Sequence, residues 1–189
     1  MIKLPGTPKP FPPEKVTKLD AARRQLATAI TLWFKGADTV SIYSLSHAAY
    51  EVIHNFTRPK RGRKLLFDSL VIKDEYRREF NTLIRNPANF FKHANRDKSE
   101  NPTIEFHPEM SEMFFMYSIL GIEHSKIPRN IEESAFIHWY CLNHPEHLTK
   151  KGREVFTDLF PVDALNEIRG LTKKEFFQAY LRSWREAGL

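Results

Sequence analysis

A single cysteine, Cys141, occurs among the 189 residues, so no intrachain disulfide can form and a reducing cytoplasm is the expected setting. Glycine is scarce too. The seven glycines fall mainly where helices would end, which argues against a β-sandwich with its many turns. No apolar run approaches the ~20 residues of a membrane-spanning helix, the most apolar stretch being Met113 to Ile122. The opening Met1-Ile2-Lys3-Leu4-Pro5-Gly6 lacks the apolar core of a signal peptide, so no membrane partner is expected. The chain also lacks a glycine-rich phosphate loop, a Ser/His/Asp order and a paired-carboxylate signature, and its scattered glycines cannot cradle a nucleotide.

What is present is aromatic bulk. Fifteen Phe, six Tyr and three Trp supply large side chains to bury, and a 41% hydrophobic, 28% charged composition is that of one globular domain. The net charge of +6 is concentrated rather than spread. Arg58, Lys60, Arg61, Arg63 and Lys64 crowd into one loop with no acid before Asp68, and the remainder is close to neutral. Cations so placed can contact phosphates with salt-dependent affinity, but no aromatic interleaves them to stack on bases; a solvated loop is the other reading.

Residues 1–16 form a proline-rich arm, with Pro5, Pro8, Pro10, Pro12 and Pro13 favouring extended backbone. From residue 17 to 189 the periodicity is helical. Leu19, Ala22, Leu26, Ile30 and Trp33 recur at three and four residues and predict a first helix to Phe34. Asp38 or Thr39 caps a second helix reaching about Phe56, making an antiparallel αα-hairpin. A third helix is expected to stop at Asn86-Pro87, where proline starts a new one. A helix over 108–120 is apolar all round and should be central; Asn130 with Glu133 and Thr172 with Glu175 form capping boxes for later helices. The expected fold is an all-α, single-domain bundle of about seven to nine helices.

The run Arg85-Asn86-Pro87-Ala88-Asn89-Phe90-Phe91-Lys92-His93 carries the sharpest chemical signal. Here the chain resembles the HEPN family, small all-helical domains found in many prokaryotic toxin and defence ribonucleases. The family motif is an arginine followed by a polar residue and, a few positions later, a histidine. The resemblance covers about the first half of the chain and places Arg85, Asn86 and His93 at the catalytic positions, with one residue more than usual between arginine and histidine. It implies an RNA-binding protein with metal-independent endoribonuclease activity and no cofactor. The chemistry coheres: 2′-hydroxyl attack needs a group titrating near neutrality and a guanidinium to steady phosphate charge. The bland alternative makes Arg85 a helix C-terminal cation and Asn86 an N-cap.

On the second helix Tyr43, His47, Tyr50 and His54 form one stripe, with Glu51 beside it. It either packs as a hydrogen-bonded polar seam or lines a groove. Glu51-Val52-Ile53-His54 matches the Glu-x-x-His of di-iron bundles, but no second copy exists, and the hydrogen-bonded seam is preferred. His144-Pro145-Glu146-His147, without cysteine neighbours, reads by default as a solvated turn, and Cys141 as a buried, inert thiol. The alternative function is a non-catalytic helical protein whose partner is another protein or a second copy of itself.

Overall fold

The computed structural model describes residues 12–58, 64–68, 72–93, 101–159 and 162–188. Among them are eight α-helices and no strand: α1 (Lys18–Phe34), α2 (Thr39–Thr57), α3 (Asp74–Lys92), α4 (Met110–His124), α5 (Ile131–Asn143), α6 (Lys150–Leu159), α7 (Val162–Arg169) and α8 (Lys173–Glu186). Short 3-10 turns cover Leu66–Asp68 and Pro145–His147. Residues 1–11 of the proline-rich arm lie outside the described residues; 12–17 are exposed and irregular, and Glu14 meets Arg24 of α1 at 2.6 Å.

The helix starts follow local chemistry. Thr17, Asn130 and Thr172 each accept a hydrogen bond from the third helical amide, and Asp20, Glu133 and Glu175 reach back to the cap amide. Gly36, at φ 64°, takes the left-handed conformation that ends α1, and Asp38 caps α2 by accepting from the Ser41 amide.

Two aromatic clusters share α4. The larger joins α1, α2, α4, α5 and α8 around Trp33, whose ring meets Phe34, Phe115, Phe136 and Trp139 edge-on. The smaller gathers Tyr43, Tyr50, Leu65, Leu66, Phe67, Ile84, Ala88 and Phe114. Adjacent residues Phe114 and Phe115 enter different clusters, which is why α4 is apolar around its circumference. Where α4 passes the start of the first 3-10 turn it carries Gly121. A Cβ there would lie 3.0 Å from Leu65 Cδ1 and 3.2 Å from Thr57 Oγ1, so glycine permits the close approach.

One helix boundary differs from expectation. Asn86-Pro87 does not divide the chain; α3 runs unbroken through Pro87. Proline costs the bond to the Leu83 carbonyl. Leu83, however, lies on the solvent side with 65% of its surface exposed, so water can serve the freed carbonyl, while Pro87 and Ala88 are buried. Tertiary burial outweighs the local preference.

Candidate functional site between α2 and α3

The polar stripe of α2 is an interior seam. Tyr43, His47, Tyr50 and His54 are each at most 4% exposed, and Glu51 beside them is half-buried. Tyr43 donates its hydroxyl proton to the Ile84 carbonyl of α3 at 2.9 Å. The Phe67 amide donates to the Tyr50 oxygen at 3.2 Å, and the Tyr50 hydroxyl is hydrogen-bonded to Nδ1 of His54 at 3.1 Å. Asn81 of α3 donates to the Phe67 carbonyl at 3.0 Å. Both backbone groups of Phe67 are thereby clamped, one to each helix.

The Phe67 ring then organises what surrounds it. His47, Tyr50 and His54 stand 6.1, 4.8 and 5.2 Å from it, centroid to centroid. From the α3 side, the Arg85 guanidinium lies over its face, with Cζ 4.1 Å from the centroid. The structure thus brings Arg85 into the neighbourhood of His47, a pairing that no local spacing announces.

Four buried side-chain atoms here have no hydrogen-bond partner among the described residues: both ring nitrogens of His47, Nε of Arg85 and Oδ1 of Asn81. Each such group costs about 1–3 kcal/mol. Burial, with Lys92 and Arg85 adding positive charge, pushes the His47 pKa down to about 4, so the imidazole is neutral at physiological pH. Lys92 stands seven residues beyond Arg85, two turns along the same side of α3, and is exposed.

His93 caps the C-terminus of α3, half-buried, with φ −126° and ψ 81°. Over a continuous helix, the eight-residue step from Arg85 amounts to about 12 Å of rise and about 80° of rotation. Side chains on a helix tilt toward its N-terminus. Arg85 follows that tilt onto Phe67, whose carbonyl is held by Asn81 one turn earlier. Asn86 is exposed on the outer face, beside Glu79, Thr82 and Leu83. Of the basic loop, Arg58 and Lys64 are exposed at its two ends, while Lys60, Arg61 and Arg63 lie outside the described residues.

His47, Glu51 and His54 do not gather as metal ligands. Among the described residues, the donor atoms that converge are those of His144, Glu146 and His147. Cys141 is half-buried, and burial raises its thiol pKa, which lowers the thiolate fraction. A separate apolar groove of about 370 Å³ is lined by Leu142, Ile168, Phe176, Tyr180 and Trp184, with His138 bonded to the Tyr180 hydroxyl at 2.9 Å. Sequence reasoning missed Phe67 and Asn81. The one available signal was Asn81 standing one helical turn before Arg85.

No protein-family model, no curated protein and no solved structure matches this chain.

Proposed function

We propose that this chain is a HEPN-like RNA-binding protein in which Arg85 receives a backbone phosphate, and that it cleaves RNA without a metal. The observation that carries the reading is an arginine held over an aromatic ring and, among the described residues, not paired with a carboxylate, its buried Nε having no acceptor there. A guanidinium held on a ring by a cation–π contact keeps its N–H donors for phosphate oxygens, the partners arginine recognises best. Lys92 and the ends of the basic loop add sequence-independent attraction.

Cleavage requires more. His93 transfers the proton, Asn86 orients, and Arg85 steadies the developing charge on the same phosphate. With about 12 Å of helix between them, Arg85 has to leave Phe67 and extend along α3 toward His93. The lost cation–π contact costs about 0.5–1 kcal/mol, less than a charge-assisted phosphate contact returns.

The test uses single-stranded RNA and the full chain. Arg85→Ala should weaken binding about tenfold and reduce the salt slope by about one, and His93→Ala should lower cleavage by at least ~10² with binding retained. RNA affinity unchanged by Arg85→Ala would overturn the binding reading. Binding without cleavage by the wild type would remove the catalytic part alone. Should RNA not bind at all, the interaction-protein alternative takes over, and the apolar groove beside Tyr180 is where it would act.

A further inference from the structure

We propose that His144, Glu146 and His147 form a site for one borderline divalent transition ion of the Zn²⁺ type. This inference is independent of the RNA reading, since its residues belong to the end of α5 and the turn that follows.

The donors are already close to coordination distances. One ligand atom from each residue lies within 4.8 Å of the other two. Glu146 Oε1 stands 3.3 Å from Nδ1 of His144 and 3.7 Å from Nε2 of His147. In a tetrahedral zinc site, with bonds of about 2.0–2.1 Å, neighbouring ligand atoms stand about 3.3 Å apart. An ion at the centre would require the two imidazoles to turn so that both ring planes contain it, which side chains at the surface end of α5 and in the following turn can do.

The surroundings hold these donors in place. His144 ends α5, its amide donating to the Tyr140 carbonyl at 2.9 Å, and Pro145–His147 follows as a 3-10 turn. Arg153 of α6 donates to the Leu148 carbonyl at 3.0 Å, just beyond the turn. The two imidazoles stack with centroids 5.3 Å apart and planes 8° from parallel, and Tyr140 packs 4.6 Å from His144.

Tyr140 also engages the far nitrogen of His147. Its hydroxyl is 2.9 Å from Nδ1, so Nε2 is the nitrogen left facing Glu146. A hydrogen-bonded partner on the non-ligating nitrogen is how protein sites orient a metal-bound imidazole. Tyr140 is therefore a positioning residue.

The donor set determines the ion class. Two imidazoles and one carboxylate suit Zn²⁺, Co²⁺ or Ni²⁺; Mg²⁺ and Ca²⁺ prefer oxygen ligands alone. Three protein ligands leave a coordination position open to water. Glu146 and His147 are exposed, so the ion enters directly from solvent.

Calorimetric titration of the untagged, chelator-treated full chain with Zn²⁺ tests this, with Co²⁺ absorption as a second readout. The expected result is saturable 1:1 binding, unaffected by excess Mg²⁺ and lost in the His144→Ala/His147→Ala double variant. The circular dichroism of that variant should match the wild type, because His147 is exposed and His144 is half-buried at the very end of α5. Tyr140→Phe should weaken binding about tenfold, the lower end of what removing an orienting partner costs; full affinity in that variant would overturn its positioning role. Either no saturable binding by the wild type, or equal affinity in the double variant, overturns the site.

Discussion

Arg23 and Arg85 are both drawn into helix–helix seams, and their circumstances are opposite. Arg23 on α1 donates to both carboxylate oxygens of Glu133 on α5, at 3.0 and 2.8 Å, and to the Pro128 carbonyl at 2.9 Å. Glu133 is fully buried and also completes the capping box of α5. Arg85 meets a ring face, and its buried Nε has no acceptor among the described residues. The first arginine joins two helices through a bidentate ion pair; the second, among the described residues, keeps an unused Nε donor beside a neutral histidine whose ring nitrogens have no partner. An arginine locked bidentately to a buried carboxylate is structural, and one whose buried donor has no acceptor is available to a ligand.

The comparison can be broken most decisively at Arg23. Arg23→Ala leaves the Glu133 charge buried with its cation gone, and about 3–5 kcal/mol of unfolding free energy should disappear in a denaturant titration. By contrast, Arg85→Ala should cost no more than about 1 kcal/mol, the scale of the cation–π contact. Equal losses for the two variants would make Arg85 structural as well.

His47 gives an effect of similar size that depends on pH. Its pKa in the folded chain, about 4, lies below the ordinary value of about 6.5. Between those values the unfolded chain binds a proton that the native chain does not. Stability conferred by this residue is therefore complete above about pH 6.5 and falls as pH drops toward 4, by up to about 3 kcal/mol. His47→Phe replaces an unpartnered imidazole with a ring of similar shape between Phe67 and Phe114, so it should be neutral or stabilising at pH 7 and flatten that slope. Melting curves of both proteins between pH 4 and 7 would check it; parallel slopes would mean that His47 has partners in solution.

Much of this architecture was legible in the sequence, because its signals are local. The three- and four-residue recurrence of Leu26, Ile30 and Trp33 marked α1, and the Thr17, Asn130 and Thr172 caps marked helix starts. Pro87 misled because the rule for residues before proline is also local, while the burial of Pro87 and Ala88 is not. The Tyr/His stripe was visible as a stripe, but tyrosine and histidine suit a seam or a groove equally well. Only the 3-10 turn and α3 packed over it decide for the seam. The neighbourhood of Arg85 and His47 depends on Phe67 holding two helices together, and no spacing rule carries that.

The Nε–H resonance of Arg85, followed by NMR in the free chain and during titration with a short single-stranded RNA, tests the central claim most directly. If Arg85 receives a phosphate, that proton gains an acceptor: its resonance should shift and its exchange with solvent should slow as RNA is added, while the Arg23 Nε–H, already bonded to Glu133, stays in place. An Arg85 resonance that does not move while RNA is demonstrably bound would contradict the account.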